Sequence, residues 1–236
     1  MNRREEIAQA LAAVREQIAE ASRVAGRTPE EVTLLPVTKF HPASDVEILG
    51  DLGVTEVGEN REQEARAKAA ELPAMGFAMI GQIQSKKCNA VARWASSVHS
   101  VDSLRIADGL NHGVALALER GDRPEERAVL PCYLQWSADG DTSRGGVSTA
   151  DLPALTERVL EAEHLSLAGL MCVPPVGADP VEVFAQAAAL RGEMEERAGR
   201  GLGFSAGMSA DMAEAIAAGS TIVRVGTAIL GSRPLA

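Results

Sequence analysis

The sequence predicts a single (β/α)8 barrel with an additional N-terminal helix, and three observations support this fold class. Eight short apolar segments of strand length alternate with segments of helical periodicity along the 236 residues. Strands that alternate with helices are typical of a parallel sheet, and eight such units in one chain of this size are typical of a barrel. No GxGxxG pattern follows the first strand, which disfavours the rival fold, a doubly wound open sheet.

The first elements are a helix, a strand and a second helix. Residues 1–30 contain the N-terminal helix, which is expected to pack on the barrel because its apolar side chains recur at helical spacing. These side chains are Ile7, Leu11, Val14 and Ile18. The first strand covers about Val32 to Lys39. The helix after it is predicted to begin at Ser44 or Asp45, which are both good capping residues.

Seven further strands follow, and each leads into a segment of helical pattern. They are the segments at 54–60, 77–81, 97–103, 128–139, 165–173, 203–208 and 221–231. The segment "GFSAGM" at 203–208 gives the weakest strand pattern. No linker or low-complexity tract interrupts the series, so residues 1–236 are expected to form one domain.

Composition excludes several classes of function. A hydrophobic fraction of 46% is enough for one sizeable core, and the net charge of -10 disfavours binding to nucleic acid or to anionic membranes. The three cysteines are widely spaced and predict neither a disulfide framework nor a metal site. The N-terminus carries charges of both signs, unlike a signal peptide, and no apolar run is long enough for a membrane span. A cytoplasmic protein is expected.

Lys39 ends an apolar strand, in the stretch "EVTLLPVTKFHP", and this position has two interpretations. A lone strand-end lysine most often extends its amine to solvent. Alternatively, a partly desolvated lysine is nucleophilic and forms a Schiff base with an aldehyde. Strand alternation places Leu35, Val37 and Lys39 on one face. If Leu35 and Val37 fill the barrel, Lys39 points into its mouth.

The loops after the seventh and eighth strands have the composition of a phosphate site. Gly207 and Ser209 lie in "SAGMSADM", where Ser209 would cap the next helix, and Gly226 and Thr227 lie in "RVGTA". Barrels often bind phosphate with these two loops and a helix N-terminus. The alternative is that the glycines and hydroxyl residues only form turns and caps.

Three polar features remain open to interpretation. Arg224 lies between valines in the most apolar strand, where a permanent charge needs partners. It either pairs with an acidic residue such as Glu56 or Asp102, or faces a ligand near the predicted phosphate site. His99 in the fourth strand is better explained as a hydrogen-bonded strand histidine than as an acid–base group. The charged segment "REQEARAKAAE" at 61–71 is predicted to be a solvated helix face.

Several stretches resemble, in order, the PLP-binding proteins of the alanine racemase N-terminal barrel type, a family called YggS in bacteria and PROSC or PLP homeostasis protein in eukaryotes. The stretches are "PVTKFHP", "VGENREQE", "IGQIQSKK", "HSVDS", "DTSRGGV", "LAGLMCVPP" and "GMSADMAEAIAAGSTIVRVGTAILG". They run from about residue 33 to the end. The sequence departs from the family pattern at Ala78, where a histidine is frequent, and at Lys86 in "QSKK". The resemblance implies a fold-type III PLP barrel.

The resemblance also implies roles for individual residues. Lys39 would form an internal aldimine with pyridoxal 5′-phosphate (PLP), and Arg224 would face its pyridine nitrogen. Asn60 would lie beside the cofactor and Met171 would line the pocket. The phosphate would be held through backbone and hydroxyl groups by Ser205, Gly207, Ser209, Gly226 and Thr227.

Catalysis is not expected from this arrangement. Racemases of this fold need two opposed acid–base groups, and in the related alanine racemases the second is a tyrosine from an additional β domain of the partner subunit. The only tyrosine here, Tyr133, lies within the fifth strand. The resemblance therefore implies a protein of vitamin B6 homeostasis that holds PLP and passes it to apo-enzymes, and we expect it to be a cytoplasmic monomer. The alternatives are a weak PLP-dependent amino-acid racemase or lyase, and a phosphate-binding isomerase or aldolase without PLP.

Overall fold

A computed structural model of the chain describes residues 2–232, and in it eight parallel strands form a nearly closed barrel. Met1 and residues 233–236, the two ends of the predicted domain, lie outside the described residues. The hydrogen-bonded order is β1-β8-β7-β6-β5-β4-β3-β2. The strands are β1 (Thr33–Pro36), β2 (Glu56–Glu59), β3 (Gly76–Met79), β4 (Ser97–Val101), β5 (Leu130–Trp136), β6 (Leu165–Cys172), β7 (Gly203–Ser205) and β8 (Ile222–Val225). The predicted barrel is therefore confirmed.

Helices follow the strands on the outside of the barrel. They are α1 (Arg3–Val24), α2 (Ala43–Asp51), α3 (Glu62–Glu71), α4 (Cys88–Trp94), α5 (Leu104–Glu119), α6 (Leu152–Leu160), α7 (Pro180–Ala198), α8 (Met212–Ala217) and α9 (Thr227–Leu230). Helix α1 begins with a capping box in which Asn2 and Glu5 bond to each other's main-chain N–H. Its predicted apolar face is buried and packs against α8, α9 and α2. The additional N-terminal helix is thus confirmed.

The main apolar core lies between the strands and the surrounding helices. Phe77, Phe184 and Phe204 are among its largest fully buried side chains, and each contributes roughly 1.5–3 kcal/mol by leaving water. Leu35 and Val37 are buried as well but lie outside this core cluster. They face the barrel interior, as strand alternation predicts for the strand that leads to Lys39.

The first strand is shorter than predicted, and this sets the conformation around Lys39. Strand β1 ends at Pro36, after which Val37 pairs with Gly58 of β2 only as an isolated bridge. The Thr38 N–H donates to the Gly58 carbonyl over 3.0 Å. Apart from these contacts, β1 and β2 are the two ends of the hydrogen-bonded strand order. Lys39 therefore lies in a turn at the point where the barrel closes.

Helix α2 begins earlier than predicted. It starts at Ala43 directly after Pro42, which is extended, rather than at Ser44 or Asp45. The carboxylate of Asp45 is not available as a cap because it accepts hydrogen bonds from Arg3, at 3.1 and 2.5 Å. Asp45 thus joins α2 to α1, and this long-range contact overrides its local capping preference.

Candidate cofactor site

The mouth of the barrel brings together most of the residues predicted to hold a ligand. Strands β1 and β8 pair in register, with Leu35 opposite Arg224, and Met171 of β6 lies opposite Ser205 of β7. The carboxyl ends of these strands therefore meet at one end of the barrel. The half-buried Lys39 follows β1 at the same end. This is where the active sites of barrel enzymes lie.

Arg224 is held by neutral partners. Its side chain is buried and donates from Nη1 to the Ser205 hydroxyl over 2.7 Å and from Nη2 to the Cys172 carbonyl over 2.9 Å. Desolvation lowers the pKa of the guanidinium, but an arginine remains protonated in a folded protein. Within residues 2–232, neither Glu56 nor Asp102 forms an ion pair with Arg224. A guanidinium is thus fixed near the mouth with its charge uncancelled.

The Arg224 bond starts a chain of hydrogen bonds through the barrel. The Ser205 oxygen accepts from Arg224, so its hydrogen is free for His99 Nδ1, 2.9 Å away. His99 Nε2 faces the Ser97 hydroxyl at 3.3 Å, and Ser97 donates to Glu56 over 2.9 Å. We call this set, Arg224, Ser205, His99, Ser97 and Glu56, the inner chain. It runs from the mouth to the first residue of β2.

His99 is neutral in this setting. Burial lowers its pKa to about 3, and the nearby charge of Arg224 acts in the same direction. With Nδ1 accepting from Ser205, the ring proton lies on Nε2. The expectation of a hydrogen-bonded strand histidine is confirmed. The same geometry commits the Ser205 hydroxyl to Arg224 and His99, so a phosphate contact from Ser205 would have to come from its main chain.

The two glycines of the predicted phosphate loops allow close packing. Gly207 is buried at φ +94°, and a Cβ there would come within 2.7 Å of the Ala215 side chain. A Cβ on Gly226 would lie 3.2 Å from the Val37 carbonyl oxygen. Both loops therefore lie tight against neighbouring elements because a side chain is absent. Thr227, the first residue of α9, is exposed beside them.

The predicted capping role of Ser209 is wrong. Helix α8 begins at Met212, three residues beyond Ser209, and Asp211 precedes it. The Asp211 carboxylate accepts from the Met208 N–H over 2.6 Å and so closes the loop before the helix starts. Ser209 is exposed in that loop. Its proposed contact with phosphate stays a prediction.

Asn60 and Met171 occupy different positions relative to the mouth. Asn60 directly follows β2, and its side chain is exposed. Its main-chain carbonyl packs so closely on Gly81 that a Cβ on Gly81 would overlap the carbonyl oxygen. Met171 is buried but outside the main core cluster, which indicates that it faces the barrel interior. Ala78, which departs from the family pattern, is buried in β3 opposite Gly58.

Sequence reasoning missed a buried charged group behind β1 and β2. Lys68 of α3 donates to Glu59 over 2.6 Å, to Glu64 over 2.8 Å and to the Thr38 carbonyl over 2.9 Å. The Thr38 hydroxyl also donates to Glu59, over 2.6 Å. We call Glu59, Glu64 and Lys68 the wall cluster. The prediction that α3 presents a solvated charged face is wrong here, because Lys68 and Glu62 are buried.

The wall cluster is unusual in its burial. Glu59 is fully buried, and desolvation raises the pKa of its carboxyl group against the opposing effect of the bonds from Lys68 and Thr38. Its Oε2 has no hydrogen-bond partner among the described residues. The spacing of Glu64 and Lys68 was the available signal, since residues four apart on a helix face each other. Nothing local indicated that Glu59 would join them.

The residues at the mouth fit a cofactor with an aldehyde, an aromatic nitrogen and a phosphate. Lys39 supplies a primary amine, which is the group that condenses with an aldehyde. Arg224 supplies a guanidinium fixed by two hydrogen bonds, and Thr227 and Ser209 supply hydroxyl groups beside glycine loops. The chemistry of this donor set therefore fits PLP.

Other kinds of site receive no support from the described residues. Across 2–232, the His, Cys, Asp and Glu side chains form no group suited to a metal ion. In the same part of the chain, no helix combines the length and apolarity needed to cross a membrane. Cys88, Cys132 and Cys172 are free and buried, and burial raises the pKa of their thiols to about 11, 12 and 12.

Comparisons with known proteins agree with this geometry. The family model "Alanine racemase, N-terminal domain" matches residues 10–234. A pyridoxal phosphate homeostasis protein of Corynebacterium glutamicum is 59% identical over 210 residues, which are 89% of this chain and 94% of that protein. The protein of the same name in Escherichia coli is 38% identical, covering 97% of both chains.

Solved structures give the same result. PipY of Synechococcus elongatus, solved with PLP bound, superposes with a TM-score of 0.80 at 32% identity and covers 95% of this chain and 100% of its own. Alanine racemase from Corynebacterium glutamicum superposes with a TM-score of 0.66 at 14% identity, covering 99% of this chain and 62% of the racemase, and this likeness shows the fold alone. The chain therefore belongs to the alanine racemase N-terminal domain family and, within it, to the group of the pyridoxal phosphate homeostasis proteins.

Proposed function

We propose that this protein holds PLP on Lys39 and acts in intracellular vitamin B6 homeostasis. The observation that carries the proposal is the position of Lys39 and Arg224 at one end of the barrel, with the guanidinium fixed by neutral partners. Relatives that bear the name pyridoxal phosphate homeostasis protein, and the PLP-bound structure of PipY, support it. The protein would work in the cytoplasm as a monomer, with PLP-dependent apo-enzymes as recipients.

Each residue of the site would have a defined task. When bound, the cofactor would supply an aldehyde, and Lys39 would supply the primary amine that holds it. Arg224 would face the pyridine nitrogen, and its permanent charge would keep that nitrogen unprotonated. Ser209, Thr227 and the main chain at the two glycine loops would bind the phosphate. Met171 and Asn60 would border the ring.

The interior of the barrel favours holding the cofactor over catalysis. Racemisation needs an acid–base group opposite the lysine. Tyr133 is in the middle of β5, its ring lies 4.3 Å from that of His99, and burial raises its pKa to about 12. Such a phenol, buried within the strand and with a raised pKa, is poorly suited to act as that group near neutral pH. We therefore propose a non-catalytic role.

The test of PLP binding is a spectrum followed by mapping. Adding PLP to the purified protein should produce the absorbance band of a protein-bound Schiff base, and borohydride reduction with peptide mass mapping should place the adduct on Lys39. The Lys39→Ala variant should lose the band, whereas Lys86→Ala, which removes an exposed lysine, should keep it. An adduct found only on other lysines would overturn the proposal.

A separate experiment tests the absence of catalysis. The protein loaded with PLP is incubated with alanine or serine in deuterated water, and incorporation of deuterium at the α-carbon is followed by mass spectrometry. No incorporation above that of free PLP is expected. Incorporation that disappears in Lys39→Ala would replace the non-catalytic role with a weak racemase or lyase activity.

A further inference from the structure

We infer that Lys68, together with Glu59 and Glu64, is a positioning group that fixes the orientation of Lys39 from behind the barrel wall. The inference rests on the proposed function, in which the Lys39 amine meets an aldehyde. The wall cluster does not touch the Lys39 side chain in any hydrogen bond. Instead, it binds the main chain on both sides of this residue.

Both peptide groups that flank Lys39 are held by the wall cluster. The carbonyl of Thr38 belongs to the peptide bond before Lys39, and it accepts from Lys68 Nζ over 2.9 Å. The N–H of Phe40 belongs to the peptide bond after Lys39, and it donates to Glu64 over 2.6 Å. Lys68 and Glu64 are themselves joined over 2.8 Å. Rotation of either peptide group therefore requires breaking a contact of the cluster.

The turn at Lys39 needs such support because its backbone is unfavourable. Phe40 has φ +68°, and in residues 2–232 it is the one non-glycine residue with a positive value. Side chains other than glycine, asparagine and aspartate rarely adopt this conformation. The Arg61 guanidinium lies 5.0 Å from the centre of the Phe40 ring, and the His41 N–H donates to the Thr38 carbonyl over 3.1 Å. A strained conformation persists when its surroundings over-determine it.

Stability alone does not explain why charges are buried here. Lys68 is only 5% exposed and Glu59 is fully buried, so the cluster bears a large desolvation cost. Apolar side chains of similar volume often give equal or greater stability than a buried ion pair. Charged side chains, unlike apolar ones, form directional hydrogen bonds to defined main-chain atoms. The three bonds of Lys68 use all of its donors.

Fixing the main chain at Lys39 has a direct chemical consequence. The amine is at the end of four rotatable bonds, so its reach is set by where its Cα lies and how the Cα–Cβ bond points. Condensation requires Nζ to approach the aldehyde carbon from one direction, and small misplacements of a reacting group are costly in rate. The wall cluster would set this starting geometry before any ligand arrives.

The test compares three variants. Lys68→Met removes the bond to Thr38 and to both carboxylates while keeping the length of the side chain. Glu64→Ala, at a less buried position, removes the acceptor of the Phe40 N–H and serves if Lys68→Met does not fold. The control is Lys87→Met, which breaks a different ion pair with α3, the 2.8 Å contact to Glu62, a residue outside the wall cluster. Thermal unfolding identifies the folded variants.

Two measurements are made on each folded variant. Hydrogen–deuterium exchange of the Phe40 amide is followed in ligand-free protein, and the rate at which PLP becomes bound to Lys39 is followed by absorbance and borohydride mapping. Lys68→Met and Glu64→Ala should speed exchange and slow the reaction, each by about tenfold or more. Lys87→Met should stay within about twofold of wild type in both.

The outcomes separate the two proposals. Wild-type rates of both exchange and reaction in folded Lys68→Met and Glu64→Ala would overturn the positioning role. Faster exchange with an unchanged reaction rate would also overturn it, because the cluster would then hold the turn without affecting the amine. If the wild-type protein forms no adduct on Lys39, the proposed function is overturned instead. The exchange rates of the ligand-free variants would then still show whether the wall cluster holds the turn.

Discussion

The inner chain and the wall cluster hold a basic residue of the site in opposite ways. Arg224 is bound by a hydroxyl and a carbonyl, so its charge is not cancelled by its partners. The main chain beside Lys39 is fixed by Lys68 and Glu64, and Lys68 is bound in turn by the carboxylates of Glu59 and Glu64. The difference agrees with the proposed function. There Arg224 would present a charge to the ligand, whereas Lys39 would present an amine whose position depends on its main chain.

Removing the lysine of the wall cluster should give the largest loss of stability. In Lys68→Met, Glu59 remains buried without a cation, and the Thr38 carbonyl loses a donor. Breaking a buried pair in this way typically costs about 3 to 5 kcal/mol. Urea unfolding followed by circular dichroism measures the loss, with Lys87→Met as the matched variant. A cost below about 1 kcal/mol would show that the wall cluster is no more important than a surface ion pair.

The burial of His99 in the inner chain should make the stability of the protein depend on pH. Burial lowers the pKa of His99 from 6.5 to about 3, so between these pH values the unfolded protein binds one more proton at this residue. Its contribution to stability is complete above pH 6.5 and falls as the pH falls through this window. Between pH 6.5 and 4.5, wild type should lose about 2.3 kcal/mol more than His99→Asn, since the unfolded-state histidine is only half protonated at pH 6.5.

Urea unfolding at several pH values measures this difference. The exposed His112 provides the control, since His112→Asn should follow the wild-type curve. Parallel pH curves for wild type and His99→Asn would mean that His99 takes up a proton as readily in the folded protein as in the unfolded one, contrary to its place in the inner chain.

Ser205→Ala should have a smaller effect on stability, because Arg224 keeps a second hydrogen-bond partner. The change removes the acceptor of Arg224 Nη1 and the donor to His99 Nδ1, while the bond to the Cys172 carbonyl remains. Losing a hydrogen bond to a charged group costs about 2 kcal/mol. Urea unfolding at pH 7 measures the cost. A variant as stable as wild type would indicate that Arg224 finds another partner inside the barrel.

An exposed charged group should show the smallest effect. Arg144, in the loop after β5, pairs with Asp139 and Asp141 at the surface. Exposed pairs are screened by water and salt and add little to stability. The urea midpoint of Arg144→Ala should equal that of wild type. A clear shift of the urea midpoint would mean that an exposed ion pair contributes to stability as the buried wall cluster does.

The fold and the key residues at the mouth were accessible from the sequence for physical reasons. Eight strands could be recognised because apolar periodicity is a local property of each segment. Lys39 and Arg224 stood out because a charge in an apolar strand needs an explanation, whatever the rest of the fold. These inferences required no knowledge of which residues meet across the barrel.

The remaining features depend on distant contacts that the sequence does not display. Asp45 has the chemistry of a helix cap, but Arg3 takes its carboxylate. Ser209 has the same chemistry, but the helix starts later, after Asp211. Lys68 looked like part of a solvated face because its partners lie far away in sequence: Glu59 ends β2, and Thr38 lies in the segment after β1. Only the closed barrel places these strands side by side.

The turn at Lys39 lies where the barrel closes, so the contacts that hold it also affect barrel closure. Among residues 2–232, the main chain after β1 pairs with β2 through the bridge between Val37 and Gly58 and the adjacent bond from the Thr38 N–H. The wall cluster spans the same junction, since Glu59 ends β2 while Thr38 follows β1. The contacts that orient the lysine thus also close the barrel between β1 and β2. The barrel cannot part at this junction without releasing Lys39.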